Sequence, residues 1–375
     1  ILQQIYKRLF EMKIGIITQP LINNYGGILQ NYALQIILKQ IGCVPTTLNQ
    51  EHIPLELGRL HFIASYFKRL FKRLLGKNQM FLNPLEEDRY IFTTCPSIKN
   101  FIDKYISKLD IKGDLINCPE LTSSYDGFVV GSDQVWRPLY SPNILNLFLD
   151  FAGEDKIKVA YAASFGTNRW EYSLDLTEKA RLLVHRFHGI SVRENSGVRL
   201  CKENLGVDAI HVLDPTMLLS KDDYLKLCID CKTYGKYIAV YFLDKNSMKV
   251  GAVEEYAQKH NLDIKYIGER SFNDCQSIED WLYAISKAEM VVTDSFHGSV
   301  FSIIFNRPFV TFYNQERGNA RLESLLSDFD LLSNLVTPND MNKANIEVDW
   351  NKVNEKIQER RKMSLNFLQN TLYGK

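Results

Sequence analysis

Short continuous apolar runs alternate with longer amphipathic stretches along this chain. Lys13 to Thr18 is an apolar run with strand character. A loop ending in Asn24-Tyr25-Gly26-Gly27 follows it, then a stretch from Ile28 to about Ile41 in which Leu29, Tyr32, Ala33, Ile36 and Ile37 form one helical stripe. A strand, a glycine turn and a helix open a parallel α/β sheet, with glycine where the backbone turns tightly. Gly127 to Val130, Lys158 to Ser164, Gly189 to Val192 and Ala209 to Leu213 predict further short strands, with a helix over Leu176 to His188 between two of them. Pro215 then breaks the chain, and Tyr224 to Cys231 is a short amphipathic stretch. A second strand series follows at Tyr237 to Phe242, Asp263 to Ile267, Met290 to Thr293 and Pro308 to Phe312. Helices are predicted over Lys249 to His260, Ile278 to Lys287 and His297 to Phe305.

Two consecutive αβ series predict an α/β protein with two Rossmann-like domains facing a cleft, over residues 12–216 and 217–347. The last segment, 348–375, holds a helix over Asn351 to Leu372 that is predicted to cross back and pack on the first domain. Residues 51–116 read differently, as a helical and basic insertion with few strand signals. Within it Leu60, Ile63, Phe67, Leu70, Phe71 and Leu74 recur at helical spacing beside Lys68, Arg69, Lys72 and Arg73. Two readings fit 59–75: an interfacial helix on an anionic membrane surface, or a helix packed on the first domain with a solvated basic face.

A chain of 375 residues suits two domains, and 45% apolar with 24% charged residues is the balance of a soluble globular protein. A net charge of +1 provides no global field to recruit nucleic acid, so an anionic ligand needs a local site. Seven scattered cysteines fit a reducing compartment better than a disulfide framework. Cys228 and Cys231 have CxxC spacing but no second pair at ligand spacing, so no metal is expected. No apolar run approaches the ~20 residues that span a bilayer, and Ile1 to Glu11 lacks a signal-peptide core. Met12, just before the first strand, is the expected start. The expected location is cytoplasmic, with peripheral contact at the inner face of the membrane under the interfacial reading of 59–75.

In open parallel sheets ligands bind beyond the carboxyl ends of the strands, where five polar clusters stand here. Thr293-Asp294-Ser295-Phe296-His297-Gly298-Ser299 ends a strand and enters an apolar helix. Asp294 or Ser295 can cap that helix, its free N–H groups favour an anion, and His297 can exchange a proton there. Otherwise His297 is a packed structural histidine. In Gly131-Ser132-Asp133-Gln134-Val135-Trp136, Asp133 either orients or deprotonates a substrate hydroxyl or caps a helix. The small residues of Tyr161-Ala162-Ala163-Ser164-Phe165-Gly166 admit a ligand near Ser164, or serve tight sheet packing. In Ser191-Val192-Arg193-Glu194-Asn195, Arg193 either binds a carboxylate or phosphate through its planar fork or pairs with Glu194 or another acid. Val212-Leu213-Asp214-Pro215-Thr216 is a fifth cluster or simply an interdomain turn.

In order along the chain, these pieces resemble the polysaccharide pyruvyl transferase family. The matching set is Asn24-Tyr25-Gly26-Gly27 with Leu29-Gln30 and Tyr32-Ala33-Leu34, GSDQVW from Gly131, AASFG from Ala162, SVRE from Ser191, LDPT from Leu213, SFHG from Ser295 and Asn306-Arg307-Pro308-Phe309. The first loop departs from the pattern, since Thr18-Gln19-Pro20 replaces the more glycine-rich loop of many members.

The resemblance implies a glycosyltransferase-B-like fold, phosphoenolpyruvate as co-substrate, and no cofactor or metal. It implies a bacterial enzyme that places pyruvyl ketals on a capsule or exopolysaccharide, with a saccharide or lipid-linked saccharide as acceptor. It points to His297 and Arg193 at the donor, with Arg321 in Arg317-Gly318-Asn319-Ala320-Arg321-Leu322 as a further arginine. Within this reading His297 is the acid, Asp133 serves the acceptor, and Ser295, Gly298 and Ser164 complete the donor site. Two alternatives stand beside it. One is a nucleotide-sugar glycosyltransferase using Asp244 or Glu269 for a ribose, and the other is a non-catalytic glycan-binding relative.

Overall fold

The computed structural model describes residues 11–51, 58–74, 83–141, 143–228, 235–270, 275–314 and 318–374. The expectations resting on Ile1 to Phe10, Cys231 and Arg317 lie outside them, as do the side chains of Arg59, Leu60, Lys72, Arg73 and Leu74.

Two parallel sheets carry the molecule. The first contains β1 (Met12–Ile17), β2 (Cys43–Gln50), β3 (Lys108–Ile111), β4 (Gly127–Val130), β5 (Ile157–Ala163), β6 (Gly189–Val192) and β7 (Ile210–His211), in the order β3-β2-β1-β4-β5-β6-β7. The second contains β8 (Tyr237–Tyr241), β9 (Asp263–Tyr266), β10 (Met290–Thr293), β11 (Phe309–Phe312) and β12 (Leu335–Val336), in the order β12-β11-β10-β8-β9. Strands β4, β8, β10 and β11 are buried throughout, so they read as unbroken apolar runs rather than alternations. The main helices are α1 (Tyr25–Gln40), α2 (Arg59–Leu74), α3 (Pro84–Phe92), α4 (Pro96–Tyr105), α5 (Leu174–Val184), α6 (Asn195–Leu200), α7 (Ser247–His260), α8 (Ile278–Lys287), α9 (Phe296–Ile304), α10 (Ala320–Asp328) and α11 (Trp350–Tyr373).

Strands β2 and β3 depart from the expected pattern. Residues 51–116 contain β3, so α2, α3 and α4 form part of the crossover from β2 to β3. The reason is polarity. β3 is an edge strand with only Ile111 buried. β2 spends inward positions on hydrogen bonding: the Thr47 hydroxyl donates to Asn31 (2.9 Å) and accepts from Gln35 (2.9 Å). Neither strand therefore shows an apolar run.

One apolar cluster runs from Ile14 and Leu29 through Met217 and Tyr224 to Trp281, Phe301 and Leu325, joining both sheets. The ring of Tyr25 stacks on Trp281 at 5.4 Å, and its hydroxyl donates to the Gln276 carbonyl at 2.6 Å. Helix α11 lies on the first sheet. Its Ser364 hydroxyl accepts from the Leu213 amide (3.0 Å), Arg361 donates to the carbonyls of Met217 (3.0 Å) and Leu219 (2.9 Å), and Tyr373 donates to the Ile41 carbonyl (2.8 Å).

Candidate functional site

Strand order reverses between β1 and β4 in the first sheet and between β8 and β10 in the second. The crevices beyond the carboxyl ends at such points are where parallel sheets bind ligands. Here the carboxyl ends of strands at and beside these points supply one shared cluster. Asn24 and Gly26 start α1 after β1, Asp133 follows β4, Arg193 follows β6, Asp214 follows β7, and His297 stands in the first turn of α9 after β10.

Arg193 is 3% exposed and sits at the centre. Its Nη1 donates to Asp214 Oδ2 at 2.8 Å, and its Nη2 lies 3.5 Å from Asp133 Oδ1. Its guanidinium covers the Phe296 ring at 4.3 Å, and that of Arg321 lies 5.9 Å from the same ring. Asp214 also accepts from the Ser132 hydroxyl (2.9 Å), the Thr216 amide (3.0 Å) and the Thr216 hydroxyl (2.6 Å). His297 Nε2 stands 3.6 Å from Asp214 Oδ2, beyond hydrogen-bond reach. Across the ring, a Cβ added to Gly26 would fall 1.9 Å from His297 Nδ1, so only glycine leaves room for the imidazole. Asn24 caps α1 through its Oδ1 and donates from Nδ2 to Asp133 Oδ2 at 2.9 Å. Asp133 itself is held at φ +76°, a conformation that non-glycine residues seldom adopt.

The charges balance closely. Burial alone would raise the Asp133 carboxyl, but Arg193, His297 and Arg321 outweigh it and hold it below the usual carboxylate range. Burial opposes ionisation of Asp214 too, yet His297, Arg193 and the Thr216 hydroxyl drive it far below that range. Burial and the neighbouring Arg193 push Arg321 down to about 10, which leaves it cationic near neutrality. Buried nitrogens at this junction, Arg193 Nε, Arg193 Nη2 and His297 Nε2 among them, make no hydrogen bond within the protein.

His297, Asp133, Arg193 and Arg321 thus come together, and the remaining predicted residues are engaged around them. Ser295, not Asp294, caps α9 by accepting from the Gly298 amide at 3.4 Å. Asp294 instead receives the Lys249 ammonium (2.6 Å) and the Leu243 amide (2.6 Å), tying the loop after β8 to β10. Gly298 is a close approach, since a Cβ there would meet Thr293 Oγ1 at 2.2 Å. The Ser164 hydroxyl donates to Glu194 at 3.1 Å and accepts from the Gly166 amide at 3.1 Å. Glu194 also accepts from the amides of Phe165 (2.8 Å) and Gly166 (3.2 Å), so it orders that loop and leaves Arg193 to the two aspartates. Burial raises its carboxyl despite Arg193 and Ser164. In the departing first loop, Thr18 donates to the Ser132 carbonyl (3.2 Å) and Gln19 to that of Gln134 (3.1 Å), which anchors the Asp133 turn. In the second sheet Asp244 accepts from Asn314 (2.7 Å) and Glu269 from Lys245 (2.8 Å).

Along the chain Asp214 reads only as part of a turn, and Asn24 and Gly26 only as part of the family pattern. The available signals were a carboxylate and a glycine at strand ends. Among the described residues no group of three His, Cys, Asp or Glu side chains is placed to hold a metal. No described helix is long and apolar enough to cross a membrane. A cavity of about 800 Å³ opens beside the first loop, bounded by Pro20 and Leu21, by Asn49 of β2, by Asp110 of β3 and by Arg89 and Phe92 of α3.

Two parallel sheets with a site at their junction make this an α/β protein of the glycosyltransferase-B type. S. aureus MnaA in its co-structure with UDP shares that fold, at TM-score 0.51 and 11% identity over 97% of each chain. Arabidopsis thaliana UGT89C1 with UDP-L-rhamnose superposes at TM-score 0.49 and 8% identity over 95% of this chain and 98% of that one. Methanocaldococcus jannaschii UDP-GlcNAc 2-epimerase, with UDP-GlcNAc and UDP, gives 0.45 and 14% over 95% and 93%. No curated protein matches significantly. The polysaccharide pyruvyl transferase family model matches residues 24–316, and the chain belongs to that family of transferases.

Proposed function

We propose that this protein transfers the enolpyruvyl group of phosphoenolpyruvate to hydroxyls of a cell-surface saccharide or its lipid-linked precursor, forming a pyruvyl ketal. The observation that carries the reading is that the buried Arg193 Nε and Nη2 and His297 Nε2 make no hydrogen bond within the protein. Each such group costs about 1–3 kcal/mol if left unsatisfied, so the site is built for an acceptor-rich anion. The Arg193 fork suits the donor's carboxylate, while Arg321 and the N-terminus of α9, with Ser295 and Gly298, suit its phosphate.

Both aspartates are too acidic to take a proton near neutrality, so Asp214 accepts the hydrogen bonds that fix Arg193 while Asp133 orients the attacking hydroxyl. Proton transfer then falls to His297. The imidazolium gives its proton to the methylene carbon, whose π bond breaks and leaves a cationic carbon next to oxygen. A sugar hydroxyl bonds to that carbon and returns its proton to His297, and the carbon–oxygen bond to phosphate then breaks. A second hydroxyl closing on the same carbon, its proton leaving with the phosphate, completes the ketal.

The test is incubation with phosphoenolpyruvate and a panel of saccharides, following inorganic phosphate and acceptor mass. Phosphate release with a mass gain equal to a pyruvyl ketal is expected. Consumption of nucleotide sugars without phosphoenolpyruvate turnover would overturn the reading.

A further inference from the structure

Helix α2 turns the wrong face outward for a helix that only packs on its own protein. Phe62, Ser65, Tyr66, Arg69 and Leu70 are half-buried, and Arg69 pairs with Glu87 of α3. The opposite line, Ile63, Phe67 and Phe71 at i, i+4 and i+8, is 50%, 61% and 63% exposed. Exposed apolar residues scattered singly need no explanation, but a contiguous stripe marks a docking surface. The charge of the helix names the occupant. Arg59, Lys68, Arg69, Lys72 and Arg73 all fall within it, with no Asp or Glu. Exposed phenylalanines beside a purely basic sequence complement a surface that is apolar beneath and anionic above.

We propose that α2 lies in the headgroup region of an anionic lipid bilayer, inserting Ile63, Phe67 and Phe71, with the positive charge of its sequence drawing it to the lipid phosphates. The placement bears on the acceptor. α3, which carries Glu87, also lines the cavity of about 800 Å³ with Leu85, Asp88, Arg89 and Phe92. Pro20, Leu21 and Ile22 form another wall of it, and two residues further on Asn24 holds Asp133. A saccharide on a lipid carrier would therefore be presented from the surface on which α2 rests. The lipid contact itself does not depend on the identity of the donor.

Flotation of the whole protein with vesicles of phosphatidylcholine alone, or mixed with phosphatidylglycerol, tests this. Binding to the anionic vesicles at low salt is expected, with weak binding to the neutral ones. Each basic residue near an anionic surface contributes about five-fold to partitioning. Lys68→Gln with Lys72→Gln and Arg73→Gln should therefore reduce binding about 100-fold. Ile63→Ser with Phe67→Ser and Phe71→Ser should reduce it at least ten-fold at unchanged melting temperature. Failure to float at low salt would overturn the proposal, as would undiminished flotation of the serine variant. A dimer in sedimentation that the serine variant abolishes, without lipid binding, would assign the face to a second copy of this chain instead.

Discussion

Gly26→Ala tests whether the position of His297 sets the rate. Gly26 lies in the first turn of α1 without a left-handed backbone, so alanine fits its conformation and favours the helix by about 1 kcal/mol. The added Cβ would stand 1.9 Å from His297 Nδ1, 2.2 Å from Cγ and 2.6 Å from Cε1, whereas ordinary contact begins at 3.4 Å. Moving from 1.9 to 3.4 Å requires a displacement of about 1.5 Å, and α1, in the core, cannot readily supply it. The imidazole must move instead. A shift of about 1 Å in a reacting group costs on the order of 100-fold in rate. Phosphate release from phosphoenolpyruvate in the presence of acceptor should therefore fall about 100-fold in kcat, and the melting temperature should fall modestly, since overpacking a buried junction costs about 1–3 kcal/mol against the helix gain of about 1 kcal/mol. Gly251→Ala is the control, since a Cβ there meets nothing within 4 Å and activity should not change. Wild-type kcat in Gly26→Ala would refute the idea that His297, as placed here, does the chemistry.

His297→Gln should lower kcat about 100-fold or more while the protein stays folded, and full activity would remove His297 from proton transfer. Arg193→Lys keeps a cation beside Asp133 and Asp214 but loses the fork. Donor use should weaken by about 1.5–3 kcal/mol, read as a raised KM for phosphoenolpyruvate, and an unchanged KM would take Arg193 off the donor. Arg193→Ala should instead unfold early, since two buried carboxylates lose their partner at a cost of about 3–5 kcal/mol. His211 donates to the Arg193 carbonyl at 3.0 Å and accepts from Arg360 at 3.1 Å, and burial lowers it despite Asp328. Its folded form resists protonation, so stability is fullest when the unfolded chain is also neutral and falls as pH drops below about 6.5. His211→Gln should flatten the melting temperature over that window, and an unchanged slope would assign the loss elsewhere.

The two sheets were legible because buried parallel strands are written as apolar runs, as in Gly127–Val130 and Met290–Thr293. β2 and β3 were not, because Thr47 is buried with a hydrogen-bonding pair and β3 lies on an edge. In the site, His297 and Arg193 could be picked out as ionisable residues at strand ends. The pairing could not. Arg193 was as free to pair with its neighbour Glu194 as with Asp214, twenty-one residues on, until the backbone decided. The amides of Phe165 and Gly166 point at Glu194 and occupy it, and only three-dimensional placement reveals that. Gly26 illustrates the same limit, since the atom it accommodates comes from the other sheet.

That last point links docking of the sheets to alignment of the proton donor. Asp133, Arg193 and Asp214 hang from the first sheet and His297 from the second, so the cluster exists only while the sheets hold one relative position. Several contacts fix it. Tyr25 stacks on Trp281, the Asn195 amide donates to Ser324 at 3.0 Å, and a Cβ on Gly318 would lie 2.6 Å from the Gly166 carbonyl oxygen. Gly318 also needs its left-handed φ of +82°, so at that point the two halves meet backbone to backbone. Tyr25 and Gly26 are adjacent in the first turn of α1. One residue clamps the second sheet and the next sets the face against which His297 rests. Any change that loosens the Tyr25–Trp281 stack therefore moves the imidazole relative to Asp214, and the packing core between the sheets is part of the machinery that orients it.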